Sequence, residues 1–210
     1  MYHGERFNSI SHLLGTVFAI TATVLLIVRA AYHGGVYDVV AASVYGASLI
    51  ILYGASTIYH SVRSQRAKLI LQKIDHCSIY LLIAGTYTPY ALVTLRGGWG
   101  WSLFGISWGL ALFGIIQEFI FGKGQRILSL IIYMLMGWLI LYAIVPTVRL
   151  LPTGGLVWLI IGGLCYTVGV YWFINDEKIK HGHGIWHLFV LAGSVAHFIS
   201  IYGWVIGYRG

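Results

Sequence analysis

The chain has 210 residues, of which 59% are hydrophobic and only 9% charged, with a mean hydropathy of +0.82. A soluble domain carries roughly 25% charged residues, so this composition excludes a water-soluble fold. The formal net charge of +7 sits mostly in short connections between apolar runs, where it sets membrane topology and calls for no nucleic-acid partner.

A helix needs about 20 residues to cross ~30 Å of hydrocarbon, so apolar runs of ~18 or more are membrane-span candidates. Seven follow in chain order, at 12–31, 38–60, 75–95, 99–121, 127–147, 155–174 and 184–207. They use nearly all of 1–210 and predict a single all-α domain, a seven-transmembrane-helix bundle with short loops. The first span, apolar from Leu13 to Val28, is longer than a signal-peptide core and reads as a retained helix. Pro89 predicts a kink in the third, with Thr86 and Tyr87 expected to line any cavity it opens. Cys77 and Cys165 fall at different depths, in the third and sixth spans, and read as small buried residues without a disulfide. The 27 glycines suit close helix packing in lipid. Tyr32, Tyr37, Trp99, Trp101, Tyr171 and Trp172 suit the interfacial belts.

Seven spans place Arg6, Arg63, Arg66, Lys68, Lys73, Lys123, Arg126, Lys178 and Lys180 on the N-terminal side. Arg29, Arg96, Arg149 and Arg209 fall on the other. Nine against four predicts a cytoplasmic N-terminus and an exterior C-terminus. That orientation is the reverse of a G-protein-coupled receptor, and no lysine lies inside a span to carry retinal.

The polar residues then fall into place. His3, His12, His60, Asp75, His76, His181, His183 and His187 come to the cytoplasmic face, His33 lies outside, and His197 is deeper in the last span. In "HGHGIWH" (181–187), His183 and His187 are i and i+4, so their rings leave one helical face with Cβ atoms about 5–6 Å apart and can share a metal ion. His181 faces the loop, and His197 is too far along the axis to join them; an interhelical hydrogen bond is expected of it. A third ligand must come from another helix, and His60 is the best placed. Ser56 lies one i,i+4 step deeper on the same face as His60. Asp75 is the natural acidic partner, as a water-mediated ligand, an acceptor behind a ligating histidine or a general base. Three imidazoles and an open position form the catalytic zinc pattern, and zinc lowers the pKa of a bound water to about 7. Glu5, Asn8 and His12 form a second polar cluster, expected to contact headgroups or cap the first helix, with a role at the metal as the alternative. Glu118 is expected at the interface. Histidines on facing helices also suit a bis-histidine haem.

Four segments together, "ERFNSISH" (5–12), Ser56…His60, "KIDHCSIYLLIAGTYTP" (73–89) and "HGIWHLFVLAGSVAHF" (183–198), resemble the bacterial haemolysin III family. That family is related to the progestin and adipoQ receptors, which include the adiponectin receptors. The resemblance covers the membrane core and implies a zinc ion near the cytoplasmic leaflet. It puts the zinc-binding histidines at His60, His183 and His187, the aspartate that holds the zinc-bound water at Asp75, and the family serine at Ser56. The wider grouping includes alkaline ceramidases, which implies hydrolysis of lipid amides or esters. The chain departs from the eukaryotic receptors in carrying no long N-terminal domain, which points to a bacterial plasma-membrane protein with membrane lipids as partners and substrates. The alternative is a cytolytic or membrane-homeostasis protein with structural or regulatory zinc; a protein with seven apolar spans is physically awkward as a released pore-former.

Overall fold

The computed structural model describes residues 5–121 and 126–208. His3, Lys123 and Arg209, and the side chain of Arg126, lie outside the described residues. Among the described residues there are helices and turns and no strand. The helices are α1 (Arg6–His33), α2 (Val36–Ser61), α3 (Gln65–Pro89), α4 (Gly97–Phe121), α5 (Arg126–Gly137), α6 (Ile144–Leu150), α7 (Thr153–Ile174) and α8 (Gly182–Trp204). They make seven segments long and apolar enough to cross a membrane, the fifth being α5 and α6 in line.

Two spans depart from uniform α-helix, each beside a proline. After Pro89 the third span continues as a π-helical stretch, Tyr90–Leu95. In the fifth, Leu139–Ala143 is 3-10 helix just ahead of Pro146. Proline has no N–H to return to the carbonyl four residues earlier, so the α ladder loosens at these places. No cavity is needed to absorb the change. Thr86 donates to the Leu82 carbonyl, and the buried Tyr87 hydroxyl donates to the Gly137 carbonyl and accepts from the Ile140 N–H. Both residues are buried and hydrogen-bonded within the helix packing. The third helix also starts at Gln65, ten residues ahead of the apolar run, because Ser64 caps it by accepting from the Ala67 N–H.

Most faces of α1 are apolar. Ala19, Ala22, Leu26 and Ala30 are buried against α2 and α8, while Val17, Ile20, Val24 and Val28 stay exposed. An apolar exterior over an apolar interior suits a helix surrounded by lipid.

The antiparallel pairs α1–α2 and α7–α8 have the most extensive contacts. On α7 the buried glycines are Gly155, Gly162 and Gly169, spaced by seven as in a left-handed supercoil. A Cβ at these positions would strike Trp204 and Leu151, His197, or Phe189 and Trp186, respectively. Small residues thus let α8 lie almost on the α7 backbone. His197 uses that closeness to bond the Leu159 carbonyl at 3.2 Å.

The ends of the bundle differ. At one end Asp38, 5% exposed, accepts from the N–H groups of Gly35 and Gly207, and Arg29 donates to the Ile206 carbonyl. A cavity of about 520 Å³ lies there, lined in part by His33, Asp38, Arg96 and Trp204. The other end gathers the start of α1, the end of α2, the start of α3 and the start of α8. His12, His60, His76, His181, His183 and His187 collect at this second end.

Candidate metal centre

His60 occupies the last turn of α2, and His183 and His187 the first two turns of α8. Their ligand atoms all lie within 4.8 Å of one another, and their ring centroids are 4.8–5.2 Å apart. The pair on α8 follows from i,i+4 spacing; the meeting with His60 is a product of tertiary packing. His181 stands just outside, exposed and in the left-handed region at φ 61°, and takes the chain into α8. Gly184 brings the start of α8 against α1, since a Cβ there would meet the Phe7 ring and the Asn8 side chain.

Each of the three rings has its Nδ1 beside an acceptor. His60 Nδ1 donates to Glu5 Oε2 at 2.6 Å and His183 Nδ1 to Asp176 Oδ2 at 2.8 Å. His187 Nδ1 donates to the Asn8 carbonyl at 3.1 Å, with Ser11 Oγ at the same distance. Such partners fix the tautomer, orient the ring and leave Nε2 with its lone pair for a ligand. Glu5 is held in turn by Asn8 Nδ2 and Lys68 Nζ, each at 3.1 Å. The bond from His60, with help from Lys68, holds the Glu5 carboxyl well below the usual carboxylate range, against burial, which pushes it up.

Burial tests whether an ion fits. His60 Nε2 is buried and has no hydrogen-bond partner. Leaving such an atom unpaired costs about 1–3 kcal/mol, and a ligand in the shared space removes that cost. The donor set is three imidazoles backed by carboxylate and carbonyl acceptors, which suits a metal ion. Asp75, partly buried on α3, adjoins Ser56.

One expectation changes here. Glu5, Asn8 and His12 are drawn into the histidine centre: Glu5 makes no side-chain cap to α1, and His12 stacks on His187 with centroids 3.5 Å apart. The reason is the antiparallel register of α1 and α2, pinned by a 2.7 Å bond between Ser9 and Ser61. Glu118, near the end of α4, is covered by neighbouring helices at 4% exposure and bonded to His76 and Ser129. Asp176 escaped the sequence reading altogether; the available signal was an acidic residue in the polar loop seven positions before His183. Cys77 and Cys165 are both free, as expected.

A model of the family described as "Haemolysin-III related" matches residues 1–198. The chain belongs to the haemolysin-III-related family. It is 43% identical to the "Hemolysin-3" of Bacillus cereus over 202 residues, 96% of this chain and 92% of that one. It is also 43% identical to the "Hemolysin-3 homolog" of Bacillus subtilis (strain 168) over 197 residues, covering 94% and 92%. The "Monocyte to macrophage differentiation factor" of Homo sapiens is 31% identical over 180 residues, covering 82% and 73%. With seven apolar helices, this member of the haemolysin-III-related family is a multi-pass membrane protein, and its buried histidine triad can hold a metal ion.

Proposed function

We propose that this protein is a zinc-dependent hydrolase of lipid amides or esters acting at the cytoplasmic leaflet. His60, His183 and His187 are its zinc ligands, with Asp75 and Ser56 at the reaction site. The supporting observation is that three converging imidazoles each spend Nδ1 on an acceptor and keep the other nitrogen for the shared space. When bound, zinc polarises a carbonyl and makes water a stronger acid.

The chain's own groups do the rest. Glu5, Asp176 and the Asn8 carbonyl hold the rings in the ligating tautomer. Asp75 takes or returns a proton beside the triad, and the buried Ser56 hydroxyl hydrogen-bonds substrate oxygen. The His183 side chain is 30% exposed while that of His60 is 4% exposed. The centre therefore opens on the α8 side, where a polar headgroup enters while acyl chains stay in lipid. The excess of basic residues at this end supports a cytoplasmic location for it.

The test is metal analysis and a broad lipid-turnover screen on the full chain in nanodiscs. A single zinc per chain is expected, lost in His60→Ala and His187→Ala together with turnover. Asp75→Asn should keep the zinc and lose the turnover. Zinc binding without hydrolysis of any lipid amide or ester would leave a structural or regulatory zinc in a membrane-homeostasis protein.

A further inference from the structure

A fourth histidine at this centre has no assigned task. His12, on α1, is 4% exposed, and both of its ring nitrogens are buried without a hydrogen-bond partner. A neutral imidazole carries one donor and one acceptor, so an orphaned pair at one ring requires a physical cause. The neighbours supply none. The edge-on ring of Tyr53 lies 5.1 Å from it, but the Tyr53 hydroxyl is committed to Ser194 and the Val190 carbonyl. His187 spends Nδ1 on Asn8 and Ser11. Thr16 reaches only the His12 backbone carbonyl.

Position decides what the orphaned nitrogens can serve. The Ser9–Ser61 and Thr16–Thr57 contacts bracket His12 along α1 and set it level with the end of α2, where His60 stands. The His12 ring lies face to face with His187 at 3.5 Å and 14°. Ligand bonds of about 2.0–2.1 Å lie close to the plane of each imidazole. Two nearly parallel planes a ring-thickness apart do not meet at that distance, so in this stack His12 cannot ligate the ion that His187 ligates. It can reach a molecule that sits on the ion.

We propose that His12 is a ligand-binding residue of the centre, stacked on His187 so as to hydrogen-bond the oxygen of a carbonyl-type molecule held by the three-histidine site. This inference rests on the metal reading above and adds a recognition group to it. It predicts that the site selects ligands with an oxygen acceptor or hydroxyl beside the metal-binding oxygen, as an amide-like substrate or a hydroxamate presents.

The experiment uses the full-length protein in nanodiscs, loaded with cobalt(II) so that its visible absorption reports the centre, and titrated with acetohydroxamate. His12→Phe keeps a stacking ring without either nitrogen; His12→Ala is the second variant if the phenyl ring disturbs folding, which size-exclusion chromatography reads. Cobalt affinity should stay within about threefold of the unaltered chain, because the three ligands and their acceptors are untouched. Acetohydroxamate affinity should fall about tenfold or more, the size of one buried hydrogen bond. Unchanged acetohydroxamate affinity in a folded variant overturns the proposal and reduces His12 to packing. Loss of cobalt overturns it in favour of a ligand or scaffold role. Failure of the unaltered chain to bind cobalt is a distinct result, which removes the metal reading and this inference with it.

Discussion

His60 Nδ1 donates to Glu5 Oε2 across 2.6 Å, joining the residue just ahead of α1 to the last turn of α2. One bond therefore orients a candidate ligand, neutralises a buried donor and closes the end of the α1–α2 pair. Glu5→Gln keeps the shape but gives up the charge. We expect metal affinity to fall by about 10–100-fold, the usual effect of losing a partner of a ligating histidine, measured by competition with a chelator. A variant with native affinity would remove Glu5 from the centre.

The three histidines of "HGHGIWH" should separate cleanly. His181 is exposed with φ 61°, a backbone strain that glycine does not feel. His181→Gly should retain full metal content and gain up to about 1 kcal/mol of stability. His183→Ala and His187→Ala should each lose the metal. Elemental analysis beside thermal unfolding in detergent distinguishes the three.

The α7–α8 seam gives a paired test. Gly162 faces the His197 ring, whereas a Cβ at the adjacent Gly163 meets nothing within 4 Å. Gly162→Val should cost about 1–3 kcal/mol by overpacking, while Gly163→Ala should be neutral or stabilising by up to about 1 kcal/mol. Equal unfolding temperatures for the two variants would contradict this packing.

A second polar cluster should prove independent of the metal. His76 Nδ1 donates to Glu118 Oε1 at 3.0 Å, Ser129 donates to Glu118 Oε2 at 3.0 Å, and Tyr133 donates to the His76 carbonyl at 2.9 Å. His76→Phe removes a donor from a buried carboxylate and should cost about 1–3 kcal/mol. Adding Glu118→Gln should recover part of that loss, with metal content unchanged throughout. Loss of zinc in His76→Phe would instead tie this cluster to the centre.

The seven spans and the i,i+4 pair on α8 could be read along the chain, as could His60 as the residue best placed to meet that pair. Local periodicity and span length carry that information. The role of Glu5, Asn8 and His12 could not, although they stand within eight residues of one another. As sequence they look like interfacial polar residues, and only the seating of α1 on α2 and α8 turns them inward. The burial of Glu118 was hidden for the same reason: a carboxylate near a span end looks solvent-facing until α3 and α5 cover it. Asp176 lies in a loop, where sequence periodicity says nothing about direction.

Composition and hydropathy by themselves determined a membrane-spanning helical chain, because the cost of exposing backbone polar groups in hydrocarbon leaves seven apolar stretches no other fold. They also determined which side chains were chemically able to hold a metal. Tertiary packing alone decided that His60 meets the α8 pair, that each ring has an acceptor behind it, and that His12 stacks on His187 with its nitrogens unpaired. Those contacts depend on helix rotation and register, set by small residues and interhelical hydrogen bonds between segments far apart in the chain.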